Sequence, residues 1–332
     1  MFCVNPSNET IPPGEFAPII VVGHPRSGTT LLAAMLDRHP DIAVPPETDL
    51  FTRATRRQRR VAETRPTHDK LLEFWRLTSG HAASEELRRR VLNHEPTVPN
   101  LYRCVLEEHS RLQNKTRCGE KTPWHLLAVP TLLRTFPNAR VVCIVRDGRD
   151  VVSSCQAFEQ FSWEPMWYLC NSWTTAARVA IRFQRRYPKQ FTIVRYEDLV
   201  TSPEKTLRAM HEFVEIPFSS QQLDHNLPAH VQRPNESFHD DVNRPLKKFR
   251  VLAWKQGMTR RQKEYSTGLM DPMLRHFGYD GFRSPSVDGG FARLVGLRAC
   301  AAVLSVPGRW HTPSMYLTRM YRRLAPRVAA AS

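Results

Sequence analysis

Residues 19–51 read IIVVGHPRSGTTLLAAMLDRHPDIAVPPETDLF, and this stretch decides the fold. Four β-branched residues, Ile19 to Val22, end at Gly23, and Ser27 then opens a helical pattern with Leu31, Leu32, Met35 and Leu36 on one face. The reading is a strand, a tight loop and a helix start. Such a loop aims its free backbone N–H groups and the positive end of the helix dipole at one point in front of the strand, where an anion binds. Gly23 and Gly28 have the G-x-x-x-x-G spacing of a phosphate-binding P-loop, but Thr29 and Thr30 follow where a nucleotide triphosphatase has Lys and then Ser or Thr. That lysine neutralises the β- and γ-phosphates in such enzymes. Here Arg26 brings positive charge from inside the loop instead, so the loop reads as a phosphate cradle retuned for another anionic group.

PRSGTTLL at 25–32, LDRHP at 36–40 and the pair Glu47-Thr48 closely resemble the 5′-phosphosulfate loop of sulfotransferases that use 3′-phosphoadenosine 5′-phosphosulfate (PAPS). Within that superfamily the stretch is most similar to the protein-tyrosine sulfotransferases and the bacterial carbohydrate and lipid sulfotransferases, which keep Arg where the cytosolic phenol type has Lys. The resemblance implies an α/β fold of the P-loop-like kind, three layers with a central, mostly parallel sheet flanked by helices. It implies that Arg26, Ser27, Gly28, Thr29 and Thr30 grip the 5′-phosphosulfate. Glu47 is then the base for an acceptor hydroxyl, since its separation from Arg26 matches that between loop arginine and catalytic glutamate in the protein-tyrosine type.

Composition sets the outer limits. A chain of 332 residues with 41% hydrophobic content can bury a sizeable core, and a formal net charge of +16 calls for an anionic partner. Zinc-finger or RNA-recognition spacing is missing from the sequence, so nucleic acid is not expected. Seven scattered cysteines without a C-x-x-C pair read as reduced, mostly buried thiols. The opening residues have neither a basic n-region nor an apolar run, and no stretch reaches about 18 apolar residues, so the expected location is cytoplasmic.

The rest of the chain falls into order around the opening stretch. Residues 1–16 read as a loose lead-in, 17–282 as the α/β domain, and 283–332 as a basic helical C-terminal extension. Asp41 to Val44 suggests a short second strand, and Pro45-Pro46 fixes the backbone ahead of Glu47. Arginines crowd residues 53–65, either a solvated helix face or an anion-recruiting patch. Helical patterns at 70–77, 85–92 and 101–112 lie in an insertion, 49–115, that the resemblance assigns to the acceptor side of the cleft.

TRCGEKTPWHLL follows at 116–127, with Lys121 at the end of a short strand and a helical pattern from His125 to Phe136. By itself Lys121 is an ordinary lysine; the resemblance makes it the residue that stabilises the sulfuryl group in flight. Val141 to Val145 is an apolar run suited to a strand buried on both faces, and it runs into RDGRDVVSS. Arg146 and Ser154 can converge on a phosphate, and their spacing resembles the family's 3′-phosphate motif. Asp147, Arg149 and Asp150 read as a helix cap with a local ion pair. A helix is expected over 163–187 with Trp167, Tyr168, Trp173 and Phe183 in the core, then a strand over Phe191 to Tyr196, with Ser202 capping the helix that follows YEDL. Tyr196, at the strand end, resembles the family's adenosine-side contact.

Residues 221–248 are polar, with three histidines lacking metal-ligand spacing, and the resemblance makes them a loop closing over the nucleotide. Trp254, the amphipathic run 258–277 and Gly278-Tyr279 resemble the family's terminal helix. The chain departs from the pattern in places: the stabilising Ser falls on Phe238, beside Ser237, a nucleotide-contacting Lys falls on Ala253, beside Lys255, and a further arginine is replaced by Phe158. The arginine-rich tail carries helical patterns suited to packing on the domain or on a second subunit of a homodimer, or to lying on an anionic membrane surface.

Sulfuryl transfer asks for an acceptor made nucleophilic, in-line geometry and stabilisation of charge on the transferring and leaving groups. Glu47, Arg26 and Lys121 are the residues assigned to these tasks. PAPS is the expected cosubstrate and its bisphosphate, PAP, the expected product, with no metal. The resemblance implies an acceptor hydroxyl on a carbohydrate, lipid or small natural product, or a peptide tyrosine. Two alternatives stand beside this: a P-loop kinase or hydrolase, which the absent lysine opposes, and a catalytically silent nucleotide-binding module.

Overall fold

The computed structural model describes residues 16–51, 67–79, 82–158, 164–224 and 250–279. The lead-in, the arginine cluster after Phe51, Ser237, Phe238, most of the polar stretch before Trp254 and the C-terminal extension lie outside the described residues.

Five strands form one sheet: β1 (Ile19–Gly23), β2 (Ile42–Ala43), β3 (Arg117–Lys121), β4 (Arg140–Val145) and β5 (Phe191–Arg195), in the order β2-β3-β1-β4-β5. Every pairing is parallel, and β1 lies in the middle, with Val21 opposite Lys121 on β3 and Gly23 opposite Ile144 on β4. The apolar runs at 19–22 and 141–145 are continuous because both faces of these strands are covered. Ile19 and Val21 join one core cluster with Leu32, Leu36, Leu207 and Met210; Ile20 and Val22 join the other with Leu101, Leu132 and Trp173. This period of two splits a uniformly apolar strand between two cores.

On one face lie α1 (Thr29–Asp37), α8 (Tyr196–Thr201) and α9 (Pro203–Val214); the larger core on the other face draws on α4 (Val98–Leu112), α5 (Val129–Thr135), α6 (Gly148–Gln156), α7 (Met166–Arg186) and α11 (Arg260–His276). The insertion contributes α2 (His68–Ser79) and α3 (Glu85–Leu92) as well as α4, and the short helix α10 (Trp254–Gly257) precedes α11. This is the expected three-layer α/β arrangement.

Several local expectations are corrected. The first helix begins at Thr29 rather than Ser27, because Gly28 takes a left-handed φ of 99° at the N-cap and Ser27 closes the loop with a 3.1 Å bond to the His24 carbonyl. The pattern 125–136 is two pieces, a 3₁₀ segment Pro123–Ala128 and α5, with Pro130 in the first turn of the second, where its missing N–H costs nothing. The long helix starts at Met166, not Trp163. Tyr196 opens α8 rather than ending β5, and Ser202 stands at the N-cap of α9 without a side-chain capping bond. The five cysteines among the described residues, Cys104, Cys118, Cys143, Cys155 and Cys170, are free and buried, and burial pushes each thiol up. No described helix is long and apolar enough to cross a membrane.

Candidate active site

In an open parallel sheet the strands deliver ligand contacts at their carboxyl ends. Here β1 ends at Gly23 and feeds the loop, β3 ends at Lys121, β4 is followed by Arg146, and β5 by Tyr196. The sequence thus places four chemically distinct groups along one edge.

The loop is held open by backbone conformation. Arg26 adopts φ 70° and Gly28 φ 99°, both left-handed, and the Gly28 carbonyl accepts the first bond of α1 from Leu32 N at 3.1 Å. Gly28 has a second reason to lack a side chain: a Cβ there would stand 2.5 Å from Cδ2 of Tyr196. The Tyr196 ring therefore packs directly on loop backbone. Its other neighbour is the Arg146 guanidinium, 4.6 Å from the ring centroid.

Arg146 is buried at the crossing of three elements. It donates from Nη1 to the Arg26 carbonyl at 3.4 Å and from Nη2 to the Arg250 carbonyl at 2.6 Å, and Nη2 lies 3.7 Å from Asp150. Ser154, two turns along α6, accepts from Nε of Arg26 at 3.2 Å. Phe158, which stands where the resemblance wants an arginine, lies under the Arg26 guanidinium at 4.6 Å. A second cation there would repel Arg26, and the ring stabilises it instead.

On the other flank, Lys121 Nζ lies 2.5 Å from Oε1 of Glu47 and 3.4 Å from Oγ1 of Thr30. The lysine side chain is 7% exposed and the glutamate 24%, so the carboxylate has the outward position. An ammonium has three N–H donors, and these two contacts account for two of them.

All ten residues singled out in the sequence belong to this edge. Glu47, Lys121 and Thr30 form one contact chain, and Arg26, Ser154, Arg146, Tyr196 and Gly28 form another, joined through α1. Ser27 is buried between them, while Thr29 turns its methyl toward Gly23, so its side chain faces the sheet. Two buried atoms among them make no hydrogen bond: Oγ of Ser27 and Nε of Arg146. Buried polar atoms without partners are costly, and a phosphoryl or sulfuryl oxygen is the complement both require. The cradle therefore fits an anionic nucleotide such as PAPS.

Of the other residues that shape the site, some had a sequence signal and some had none. Asp147 does cap α6 and pairs with Arg149 at 2.7 Å, both 1% exposed, as expected. Asp150 does something different: its carboxylate accepts from Leu252 N at 2.9 Å and Trp254 N at 2.8 Å, tying a distant segment to the Arg146 side. Burial pushes its pKa up to about 6 against the pull of Arg146. Glu197 accepts from Asp147 N and Tyr279 OH, at 3.0 and 2.9 Å. His24 is buried in the loop with its ring against Ser172 and Trp124, and burial lowers its pKa to about 4. Such tertiary bonds leave no periodicity or motif. Lys255 lies near the Trp254 ring, 5.9 Å from its centroid.

Comparison with known proteins bears on the family and the fold. Residues 18–220 match the model of the sulfotransferase family. Protein-tyrosine sulfotransferase A of Caenorhabditis elegans is 27% identical over 276 residues, covering 80% of this chain and 68% of that protein. Human protein-tyrosine sulfotransferase 1 is 27% identical over 304 residues, covering 84% and 74%. Among solved structures, the sulfotransferase domains of the Synechococcus PCC 7002 olefin synthase and of the curacin biosynthetic pathway superpose with TM-scores of 0.58 and 0.57, at 19% and 18% identity. Each covers 80% of this chain, and the match takes in 96% and 99% of those domains.

Proposed function

Because the chain belongs to the sulfotransferase family, we propose that it moves the sulfuryl group of PAPS to an acceptor hydroxyl, with Glu47 as the base. The observation that carries this reading is the direct contact of Glu47 with Lys121, which in turn touches Thr30 on the first turn of the anion loop. A base, a cation and an anion cradle are thereby joined within a few ångströms.

PAPS supplies an activated sulfuryl group on a phosphate leaving group. Arg26 and the loop residues Ser27 to Thr30 would hold its 5′-phosphosulfate, Arg146 and Ser154 its 3′-phosphate, and Tyr196 the adenosine side. Glu47, at the outward end of the pair, takes the acceptor proton in the transition state. Lys121 holds that carboxylate in place and offers a donor to charge developing on the sulfuryl oxygens or the leaving phosphate. Arg26, fixed by Ser154 and Phe158, adds a second positive charge at the loop.

The relatives' names carry protein tyrosine as one acceptor class, and a phenolic hydroxyl is the acceptor to try first. The test is incubation with sulfur-labelled PAPS and a fractionated host extract, together with a tyrosine peptide flanked by acidic residues. Label in peptide, glycan, lipid or small phenol identifies the acceptor. Magnesium-dependent ATP turnover, or tight PAP binding with no transfer to any fraction, would reject the reading.

A further inference from the structure

Behind the Glu47 and Lys121 pair lies a second pair, facing the opposite way. Successive residues of a strand point to opposite faces, so β3 sends Lys121 to the loop and Glu120 inward. The facing segment does the same with Glu47 and Thr48: Thr48 Oγ1 donates to Oε1 of Glu120 at 3.2 Å, and both residues are fully buried. Thr122 also donates its hydroxyl to Oε1 of Glu120, while accepting from Asp49 N at 3.4 Å. Asp49 has φ 54°, a left-handed conformation that this bond helps to hold.

His125 completes the hub. Its Nε2 is 3.2 Å from Phe51 N, a backbone donor, so Nε2 accepts and the proton sits on Nδ1, donated to Oε2 of Glu120 at 3.1 Å. Both side chains are 0% exposed. Glu120 thus accepts from two hydroxyls and an imidazole N–H, and three links at Thr48, Asp49 and Phe51 pin the segment carrying Glu47.

The geometry points to Glu120 and His125 as positioning residues that set where the Glu47 carboxylate stands relative to Lys121, through a hydrogen-bonded clamp on residues 48–51. This rests on the assignment of Glu47 and Lys121 above. Replacing Glu120 by Gln removes one of its two acceptor oxygens, so an amide N–H must face either His125 Nδ1–H or the Thr48 and Thr122 hydroxyls. In the first case the imidazole would have to move its proton to Nε2, where it meets Phe51 N–H; in the second the two hydroxyls would have to turn from donors into acceptors, and either way the clamp loosens.

Two measurements test this. In sulfate transfer, Glu120→Gln should lower kcat on the order of tenfold to a hundredfold, the scale of misplacing a reacting group by about an ångström, with PAP affinity within about twofold. The same change in a Glu47→Ala background should cost almost nothing, because the clamp acts through Glu47. His125→Gln, which can still present an oxygen to Phe51 N, should retain at least about tenfold more activity than His125→Leu. Thr48→Val, nearly isosteric, should reproduce a smaller kcat loss if Glu120→Gln does not fold. The second measurement does not involve catalysis: acetic anhydride labelling of Lys121, read by mass spectrometry, should rise several-fold in Glu120→Gln as the ion pair loosens. Unchanged labelling, or an equal kcat loss with and without Glu47, would overturn the assignment. If the wild-type chain transfers no sulfate at all, the enzymatic reading fails, and the labelling still decides the clamp.

Discussion

Lys121 and Glu47 stand 2.5 Å apart at the edge of the sheet, one from the end of β3 and the other from a proline-braced loop 74 residues earlier. The pairing sets two opposed demands on one carboxylate. Lys121 fixes Glu47 in place, yet a carboxylate oxygen occupied by the ammonium is closed to an acceptor hydroxyl until a sulfuryl group draws the lysine away.

Removing either partner should therefore spare the nucleotide and damage the transfer. Glu47→Ala is expected to lower kcat by about a hundredfold to ten-thousandfold, the range of a lost general base. Lys121→Ala should fall comparably, and both should bind PAP within a few-fold of wild type by titration calorimetry. Full activity in Glu47→Ala would remove the base assignment.

Arg146 should behave in the opposite way. It touches the Arg26 carbonyl, the Arg250 carbonyl and the Tyr196 ring, all on the nucleotide side. Arg146→Ala is expected to weaken PAP by about 2 kcal/mol or more, roughly thirtyfold, and to leave the Asp150 carboxylate buried without its cation. An unaltered PAP affinity would place the 3′-phosphate elsewhere.

Gly28→Ala should be damaging out of proportion to its size. The new methyl would meet Tyr196 at 2.5 Å on a backbone with φ 99°. A loss of about 1–3 kcal/mol of stability is expected, seen as a lower urea midpoint together with weaker PAP binding.

Leu252 is the converse case. A leucine at φ 61° is strained, its side chain is 42% exposed, and its N–H is anchored on Asp150. Leu252→Gly should keep the anchor and relieve the strain, raising stability by about 1 kcal/mol. A marked fall in the thermal midpoint would show that the leucine side chain contributes packing the strain conceals.

His24 supplies a pH signature. Burial lowers its pKa from 6.5 to about 4, so between those values the unfolded chain binds more protons than the folded one. Its contribution is complete above pH 6.5 and is lost as the pH falls toward 4. Unfolding free energy should decline across that window, and His24→Gln should flatten the decline. The Asp150 carboxyl, raised to about 6, works in the opposite sense, stabilising below its ordinary range and fading as the pH rises through 6, so the histidine variant must be compared at matched pH.

What the sequence disclosed followed from how local each signal is. The apolar runs at 19–22 and 141–145, the glycines at 23 and 28 and the Arg146 to Ser154 spacing each fit within about ten residues, and the strands and helices they imply are present, the first helix starting two residues late. The helix over 85–92 was legible from its helical pattern alone. By contrast, Asp150 reaching Trp254 and Glu120 receiving Thr48 join residues 104 and 72 apart. No window along the chain contains both partners. Phe158 was read as a missing arginine, whereas its ring supports the arginine already in the loop.

The register of β3 against β1 decides the sign of the charge presented to the anion loop. Val21 pairs with Lys121, and Ile20 with Glu120. Shifting that pairing by a single residue would turn the acid outward and the base inward, exchanging an attractive potential for a repulsive one with the composition unaltered. A one-residue insertion or deletion in the turn at 113–116 that moved the register would thus invert the site's polarity, whereas a two-residue slip would keep each side chain on its face but carry Lys121 about 7 Å along the strand. For anyone shortening that turn or grafting a different insertion onto this scaffold, the pairing of Val21 with Lys121 is the constraint to keep.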